Sequence, residues 1–378
     1  MKLIYKLFRL DPDSREDVIT VTSGLGIAVN LLIAAIKVVI GLLASSIAII
    51  SEGVNNAADA FSSVLALVGT KLSGKRPDEK HPFGYGRVEY LTSLVIAVLI
   101  LISGFEVLTG AVKRVFEPEA LSISYITLAI IAVSALIKYF LGIYTIKMGK
   151  KAESGALVGV GLECRNDSIV SVITIVSSLL FLIFGWNIDA YAGIITALII
   201  LKAGFDVLKD TVSELLGRPG KQELAGELYR EIRGTEGILN AADLMLHNYG
   251  PDAYSGSVNV EIDHNKTVGE IYGFLHELQL RILREYGVVL VFGIYAVDHD
   301  RPELNALRRT IGEFIRTHEH VKSFHALYLQ PETDRVYLDF VVDYALRDWD
   351  SLKNEFLAYM AEKYPEKEIV LTVETEYV

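Results

Sequence analysis

Three charged side chains, Glu163, Arg165 and Asp167, fall within an apolar run over residues 155–184 that is long enough to cross a bilayer. A charged side chain at the centre of a membrane costs about 2.5 to 3.5 kcal/mol on insertion scales, so such residues usually face a cavity or a partner. Glu163 and Asp167 are four residues apart and therefore share one helix face. Arg165 is turned roughly 200° away from that face, and we expect it to pair elsewhere.

A second polar pair, Asn55 and Asp59, has the same spacing in the apolar segment that contains "SEGVNNAADA". If the two faces oppose each other, their amide and carboxylate oxygens form a small cage, and a cation held there offsets the desolvation of the carboxylates. The alternative is a network of hydrogen bonds between helices with protonated carboxyl groups.

Other charges in the apolar segments suggest partners. Glu106 and Asp206 are the acids available to Arg165. Glu52 lies one turn from Asn55 and is expected either to support the cage or to pack toward another charge. Three lysines are expected to compete for the two acids or to extend toward the membrane surface, namely Lys37, Lys138 and Lys202.

Six apolar segments meet the length of about 20 residues that a membrane-spanning helix needs. They cover residues 18–44, 46–70, 90–115, 121–146, 155–184 and 188–209. Lys and Arg are concentrated before the first segment and in the loops that follow the second and the fourth, whereas the opposite side carries only Lys113 and Arg114. The positive-inside rule therefore predicts a protein of the cell (inner) membrane with both termini in the cytoplasm.

The region after the last apolar segment has a different character. Residues 1–211 carry 19 Lys and Arg against 18 Asp and Glu, so the remainder carries 17 against 29, and the formal net charge of −11 arises there. This acidic balance argues against a nucleic-acid partner.

In the same region, the pattern helix, strand, strand, helix, strand occurs twice, with Ala242 and His325 at equivalent positions. We expect a six-helix transmembrane domain over residues 1–216 and two tandem α+β domains of the ferredoxin-like type, over 217–300 and 301–378.

Several motifs resemble the cation diffusion facilitator family in order and spacing. They are "SSIAIISEGVNNAAD", the loop "PDEKHPFGYGRVEY" and "LECRND". The resemblance covers the six apolar segments and the first α+β domain, whereas the last domain resembles an added copy. It implies a homodimer that exports a divalent metal cation in exchange for protons, with a metal site at Asn55, Asp59, Glu163 and Asp167.

Departures from the family pattern bear on the metal. Zinc-type members usually have His or Asp at the position of Asn55 and His at that of Glu163. A site without His or Cys is all oxygen, which suits Mn²⁺, Fe²⁺ or Mg²⁺ better than Zn²⁺. The Asn and Asp pair, with "LMLHNYGP", resembles the manganese-type branch, so Mn²⁺ is favoured and Fe²⁺ is the next choice. A zinc or cobalt exporter of the same family is the alternative.

Two further family sites are altered. In the loop, Asp78 and His81 match two ligands of a secondary site, but Tyr85 replaces the expected His. The positions that bind zinc in the soluble domain of relatives are occupied here by Ala242, Asn259, Gly293 and Tyr295. We expect no such zinc site, and we expect the remaining histidines of this region to be structural or to face solvent, namely His247, His264 and His299.

No catalytic nucleophile or base is implied, so we expect a transporter and not an enzyme. The glycine-containing segments lack the strand-to-helix setting of a nucleotide loop, and no organic cofactor is expected. The lipid bilayer, the metal ion and protons are the expected partners and substrates. A membrane metal sensor or scaffold without transport is the alternative from another functional class.

Overall fold

The computed structural model describes residues 11–43, 47–116, 125–184, 188–217, 222–251 and 253–375. Its internal contacts divide the chain into two units. The N-terminal unit comprises Met1–Arg218 together with Tyr249–Asp252, and the C-terminal unit comprises Pro219–Asn248 and Ala253–Val378. The predicted domain boundary at residue 300 lies inside the C-terminal unit and stays a prediction.

The N-terminal unit consists of long helices that coincide with the predicted apolar segments. They are α1 (Arg15–Leu43), α2 (Ile47–Ser73), α3 (Val88–Phe116), α4 (Tyr125–Lys151), α5 (Gly155–Phe184) and α6 (Asp189–Leu215). Within the described residues, five of them are long and apolar enough to cross a membrane: α1, α3, α4, α5 and α6. Helix α2 is not among the five, and it carries Glu52, Asn55 and Asp59. The six predicted spans are therefore matched in part.

The helices pack mainly in pairs, α1 along α2, α3 along α6 and α4 along α5, with a further contact between α2 and α5. The α4–α5 pair is held very close through glycines. A Cβ atom on Gly142 would lie 2.8 Å from the backbone nitrogen of Arg165, and one on Gly161 would lie 2.7 Å from that of Ile146. Only glycine permits this separation, which brings side chains on α4 against those on α5.

The C-terminal unit contains the predicted order of elements twice. The first half comprises α7 (Gln222–Arg233), β1 (Asn240–Gly250), β2 (Ala253–Asp263), α8 (Val268–Tyr286) and β3 (Val288–Val297). The second comprises α9 (Pro302–Arg316), β4 (Val321–Gln330), β5 (Arg335–Val342), α10 (Trp349–Lys363) and β6 (Glu368–Thr375). Local sequence signals define several ends: Thr267 and Glu270 form a capping box at the start of α8, and Gly287 ends that helix with φ of 67°.

Each half forms a three-stranded sheet, in the orders β1-β2-β3 and β4-β5-β6. Strands β2 and β3 are parallel, as are β5 and β6, whereas β4 and β5 are antiparallel. Each sheet packs an apolar core against its own two helices. Asp243 in β1 and Ala326 in β4 both have positive φ, 53° and 55°, at equivalent places in the two halves.

Candidate functional site

The four residues predicted to bind metal line one cavity of about 600 Å³ in the N-terminal unit. Asn55 and Asp59 project from α2, and Glu163 and Asp167 project from α5, so the contact between these helices brings the two polar pairs to the same space. Asn55 is exposed, whereas the three carboxylates are partly buried. The predicted assignment of metal ligands stays a prediction.

A buried lysine from α4 joins two of these carboxylates. The Nζ atom of Lys138 lies 2.5 Å from Oδ2 of Asp59 and 2.8 Å from Oδ2 of Asp167, and the lysine side chain is only 6% exposed. Its ammonium group is a monovalent cation lying between carboxylates of α2 and α5. The expectation that Lys138 would compete for Glu106 and Asp206 or extend toward the membrane surface is therefore wrong.

Close packing of α4 against α5 explains the position of this lysine. Gly142 lies one helical turn beyond Lys138, and its missing side chain allows the α5 backbone to approach. On the same side, the hydroxyl of Ser168 donates a hydrogen bond of 2.8 Å to the carbonyl oxygen of Ala135. These contacts place Lys138 beside Asp167 at a point where two helices would otherwise be separated by side chains.

The second lysine of the cavity also has a partner on α2. Nζ of Lys37 lies 3.0 Å from Oε2 of Glu52. Glu52 therefore packs toward another charge, and Lys37 pairs with Glu52 and not with the expected Glu106 or Asp206. Within the described part of the chain, Nε of Arg165 is buried without a hydrogen-bond partner. The expected pairing of Arg165 with Glu106 or Asp206 is not found among the contacts of the described residues.

The cavity has an excess of negative charge. Five carboxyl groups line it, against the two ammonium groups of Lys37 and Lys138, which gives a formal charge of −3 if all are ionised. Oε2 of Glu163 is buried and has no hydrogen-bond partner among the described residues. Uncompensated oxygen atoms around a water-accessible space attract cations, so this arrangement favours cation binding. The lining carboxylates are Glu52, Asp59, Glu106, Glu163 and Asp167.

The predicted loop site is only partly assembled. Nδ1 of His81 lies 3.5 Å from Oδ1 of Asp78, but the other oxygen of Asp78 accepts a hydrogen bond of 2.7 Å from the hydroxyl of Tyr85. This hydrogen bond, together with those from the His81 backbone and Lys75, holds the pKa of the Asp78 carboxyl well below its usual range. Metal binding by Asp78 and His81 stays a prediction. One carboxylate oxygen of Asp78 is already engaged in the hydrogen bond from Tyr85.

A cluster that the sequence does not predict lies in the C-terminal unit. Asp243, His325 and Glu374 bring their side-chain ligand atoms within 4.8 Å of one another. Sequence spacing alone gives no signal for it, because the three residues lie on distant strands. One hint comes from the internal repeat. In it, His325 is equivalent in position to Ala242, the neighbour of Asp243. Of the three histidines expected to be structural or solvent-facing, His264 lies near Asp298 and Asp300 in a more exposed cluster.

Comparisons with known proteins find similarity over the helices that contain the cavity. Residues 24–216 match the family model described as the cation efflux transmembrane domain. The chain is 30% identical to an uncharacterized transporter of Methanocaldococcus jannaschii over 258 residues, which are 68% of this chain and 89% of the relative.

Two relatives in Bacillus subtilis have names that state a metal. The manganese efflux system protein MneS is 26% identical over 69% of this chain and 90% of its own length. A cadmium, cobalt and zinc/H(+)-K(+) antiporter is 26% identical over 65% of this chain and 78% of its own length. The match to the family model covers half of the chain and includes α2 and α5. The chain therefore belongs to the cation efflux family, the cation diffusion facilitators that its motifs resemble.

Proposed function

We propose that the protein exports a divalent metal cation across the membrane in exchange for protons, with Mn²⁺ favoured and Fe²⁺ as the next choice. One observation carries the proposal. Carboxylates from two different helices, Asp59 and Asp167, hold the Lys138 ammonium inside an acidic cavity. A pair of carboxylates that already holds one positive charge is suited to hold a metal cation in its place.

Lys138 has a definite part in this mechanism. When the metal arrives, its charge replaces that of the ammonium, which moves away from Asp59 and Asp167 within the cavity. When the metal leaves, the ammonium and protons again neutralise the carboxylates. The buried carboxylates therefore remain compensated at each stage, which matters because an unpaired charge in a membrane is expensive.

The choice of metal follows from the ligand atoms. Asn55, Asp59, Glu163 and Asp167 offer oxygen alone, which suits Mn²⁺ better than Zn²⁺. The similarity to a manganese efflux protein supports this choice. The second candidate, a zinc or cobalt exporter, is favoured by the similarity to the antiporter whose name states cadmium, cobalt and zinc.

The proposed architecture is a homodimer in the cell (inner) membrane. Helix α2 is the sixth span, because its polar residues face the cavity, and both termini are cytoplasmic as the loop charges indicate. Each half of the C-terminal unit is a ferredoxin-like domain, and the second half is an added copy, in keeping with the relatives' match to about two thirds of the chain. The activity is transport without chemical conversion of a substrate.

The experiment is metal flux into sealed vesicles that contain the purified protein, with Mn²⁺, Fe²⁺, Co²⁺, Zn²⁺ and Mg²⁺ in competition. We expect Mn²⁺ uptake that depends on a proton gradient, and we expect Asp59→Ala and Asp167→Ala each to abolish it while the protein stays folded. Near-normal flux in both variants would contradict the site. Metal binding without flux in the wild type would instead indicate a sensor or scaffold.

A further inference from the structure

The C-terminal unit contains a cluster, centred on a buried histidine, that draws on both of its halves. Asp243 lies on β1 of the first half, and His325 and Glu374 lie on β4 and β6 of the second. His325 is 3% exposed and Asp243 is 9% exposed. The ring of Tyr295, from β3, stacks on that of His325 with centroids 5.6 Å apart. The cluster is thus an internal feature of this unit and is separate from the cavity in the N-terminal unit.

One ring nitrogen is the centre of the cluster. Nε2 of His325 lies 3.0 Å from Oδ1 of Asp243 and 3.0 Å from Oε1 of Glu374, with Oδ2 of Asp339 at 4.0 Å. Nevertheless, Nε2 has no partner in hydrogen-bond geometry among the described residues. The carboxylate oxygens therefore flank the direction in which the ring nitrogen points and do not lie on it.

This arrangement differs from an ion pair and matches coordination. An N–H group donates along one direction and serves an oxygen that lies on that line. A metal ion, in contrast, lies on the line itself, with the other ligands around it. Zn–N and Zn–O bonds of about 2.0 to 2.1 Å in a tetrahedron separate neighbouring ligand atoms by about 3.3 Å. The observed separations of 3.0 Å need to increase by only a few tenths of an ångström.

Other side chains fix the aspartate in the required orientation. Oδ2 of Asp243 accepts hydrogen bonds of 2.8 Å from Nδ2 of Asn259 and 3.0 Å from the hydroxyl of Tyr295. Its Oδ1 atom is therefore the one that faces His325. Asp243 has φ of 53°, a conformation uncommon for residues other than glycine and often found at functional sites. Its support by Asn259 and Tyr295 resembles the outer hydrogen bonds that orient metal ligands.

We propose that Asp243, His325 and Glu374 form a site for a divalent transition-metal ion that joins the two halves of the C-terminal unit. The inference does not depend on the proposed transport function, because the site shares no residue with the cavity in the N-terminal unit. One imidazole nitrogen with two carboxylates suits Zn²⁺, Co²⁺ or Mn²⁺, whereas Mg²⁺ prefers oxygen ligands and retains its water.

The test is equilibrium dialysis of the full-length protein in detergent against Co²⁺ and Zn²⁺, followed by metal analysis. Asp59→Ala and Asp167→Ala are present in every sample, so that the transport site contributes little. We expect His325→Ala to bind one ion fewer per chain than this background. The matched control is His264→Ala, which removes the histidine of the exposed cluster with Asp298 and Asp300 and should leave the count unchanged.

A second variant keeps the test valid if His325→Ala fails to fold. Glu374→Gln preserves the shape of the side chain and should weaken Co²⁺ binding at least about tenfold, with a changed visible absorption spectrum. Addition of Mg²⁺ should not displace Co²⁺. Equal ion counts with and without His325, loss of the ion in His264→Ala, or unchanged Co²⁺ affinity in Glu374→Gln would each overturn the proposal.

Discussion

Lys138 and Asp167 lie on neighbouring helices and form an ion pair of 2.8 Å inside the acidic cavity. Asp59, on a third helix, shares the same ammonium group. Breaking a buried pair by removal of one partner is costly, because it leaves a charge without compensation. The lysine therefore offsets the negative charge of the two carboxylates, and any cation that binds between them has to replace it.

Replacement of Lys138 by methionine should strengthen metal binding. Removal of the ammonium leaves Asp59 and Asp167 uncompensated, and a charge pair at about 4 Å contributes about 4 kcal/mol at an effective dielectric constant of 20. Since about 1.4 kcal/mol corresponds to a factor of ten, we expect the Kd for Mn²⁺ to fall at least about tenfold. Titration of purified protein measures it. Lys138→Arg retains the charge and should stay near wild type, and an unchanged Kd in Lys138→Met would contradict displacement.

Selectivity should follow the ligand atoms. In the double variant Asn55→His and Glu163→His, two imidazole nitrogens join Asp59 and Asp167, which is the mixture that tetrahedral Zn²⁺ favours. We expect transport to shift toward Zn²⁺ over Mn²⁺ by about tenfold or more, measured as competition in vesicles. If the wild type already moves Zn²⁺ better than Mn²⁺, the argument from oxygen ligands fails.

The glycine contact between α4 and α5 gives a prediction about stability. Gly142→Ala places a Cβ atom 2.8 Å from the backbone nitrogen of Arg165, so the helices must separate. We expect a loss of about 1 to 3 kcal/mol, seen as a lower melting temperature in detergent, together with reduced transport because Lys138 moves with its helix. Gly24→Ala is the matched control, since nothing lies within 4 Å of its Cβ position. Equal melting temperatures in the two variants would count against this packing.

The sequence predicts the helices well, because each apolar segment carries its own length and composition signal. It also predicts that Asn55 and Asp59 share one helix face and that Glu163 and Asp167 share another, since spacing by four residues defines a face. That the two faces meet was implied only by the resemblance to the cation diffusion facilitators. It does not predict the partner of Lys138, which depends on how closely α4 approaches α5. Periodicity within one helix contains no information about the distance to the next.

In the C-terminal unit too, the sequence predicts the elements but not the contacts between distant side chains. The repeated order of helices and strands follows from local patterns, and both halves have it. The cluster at His325 includes Asp243 and Glu374, which are 131 residues apart in the chain. A histidine in a strand looks the same in sequence whether it is structural or a ligand. Only the tertiary arrangement distinguishes these cases. The conformation of Asp243, with positive φ, is likewise not indicated by the residue type alone.

Without metal, the C-terminal unit should have a stability that depends on pH. Burial raises the pKa of Glu374, and neighbouring Asp243 adds to this, to about 7. Burial lowers the pKa of His325, but the carboxylates of Asp243, Glu374 and Asp339 more than offset it, so this pKa is raised. Burial raises the pKa of Asp243, but the nearby His325 ring and the hydrogen bond from Asn259 outweigh burial, so this pKa is held below its usual range.

The signs of these shifts set the pH window. The folded state retains protons on Glu374 and His325 that the unfolded chain releases, so their stabilising contribution is present at low pH and is lost as pH rises through the folded pKa values. Asp243 acts in the opposite direction but only in acid below about pH 4, where the unfolded carboxyl titrates. We therefore expect the metal-free unit to lose stability between about pH 5 and pH 8.

Hydrogen exchange of the amides in β6 (Glu368–Thr375), corrected for the intrinsic pH effect, measures this loss in the full-length protein with a chelator present. The loss should be smaller in His325→Ala and unchanged in the control His247→Ala, which removes an exposed histidine of β1. Added Zn²⁺ should reverse the trend, because metal ligands bind in their deprotonated form. Identical pH profiles for His325→Ala and wild type would show that the cluster does not titrate with folding.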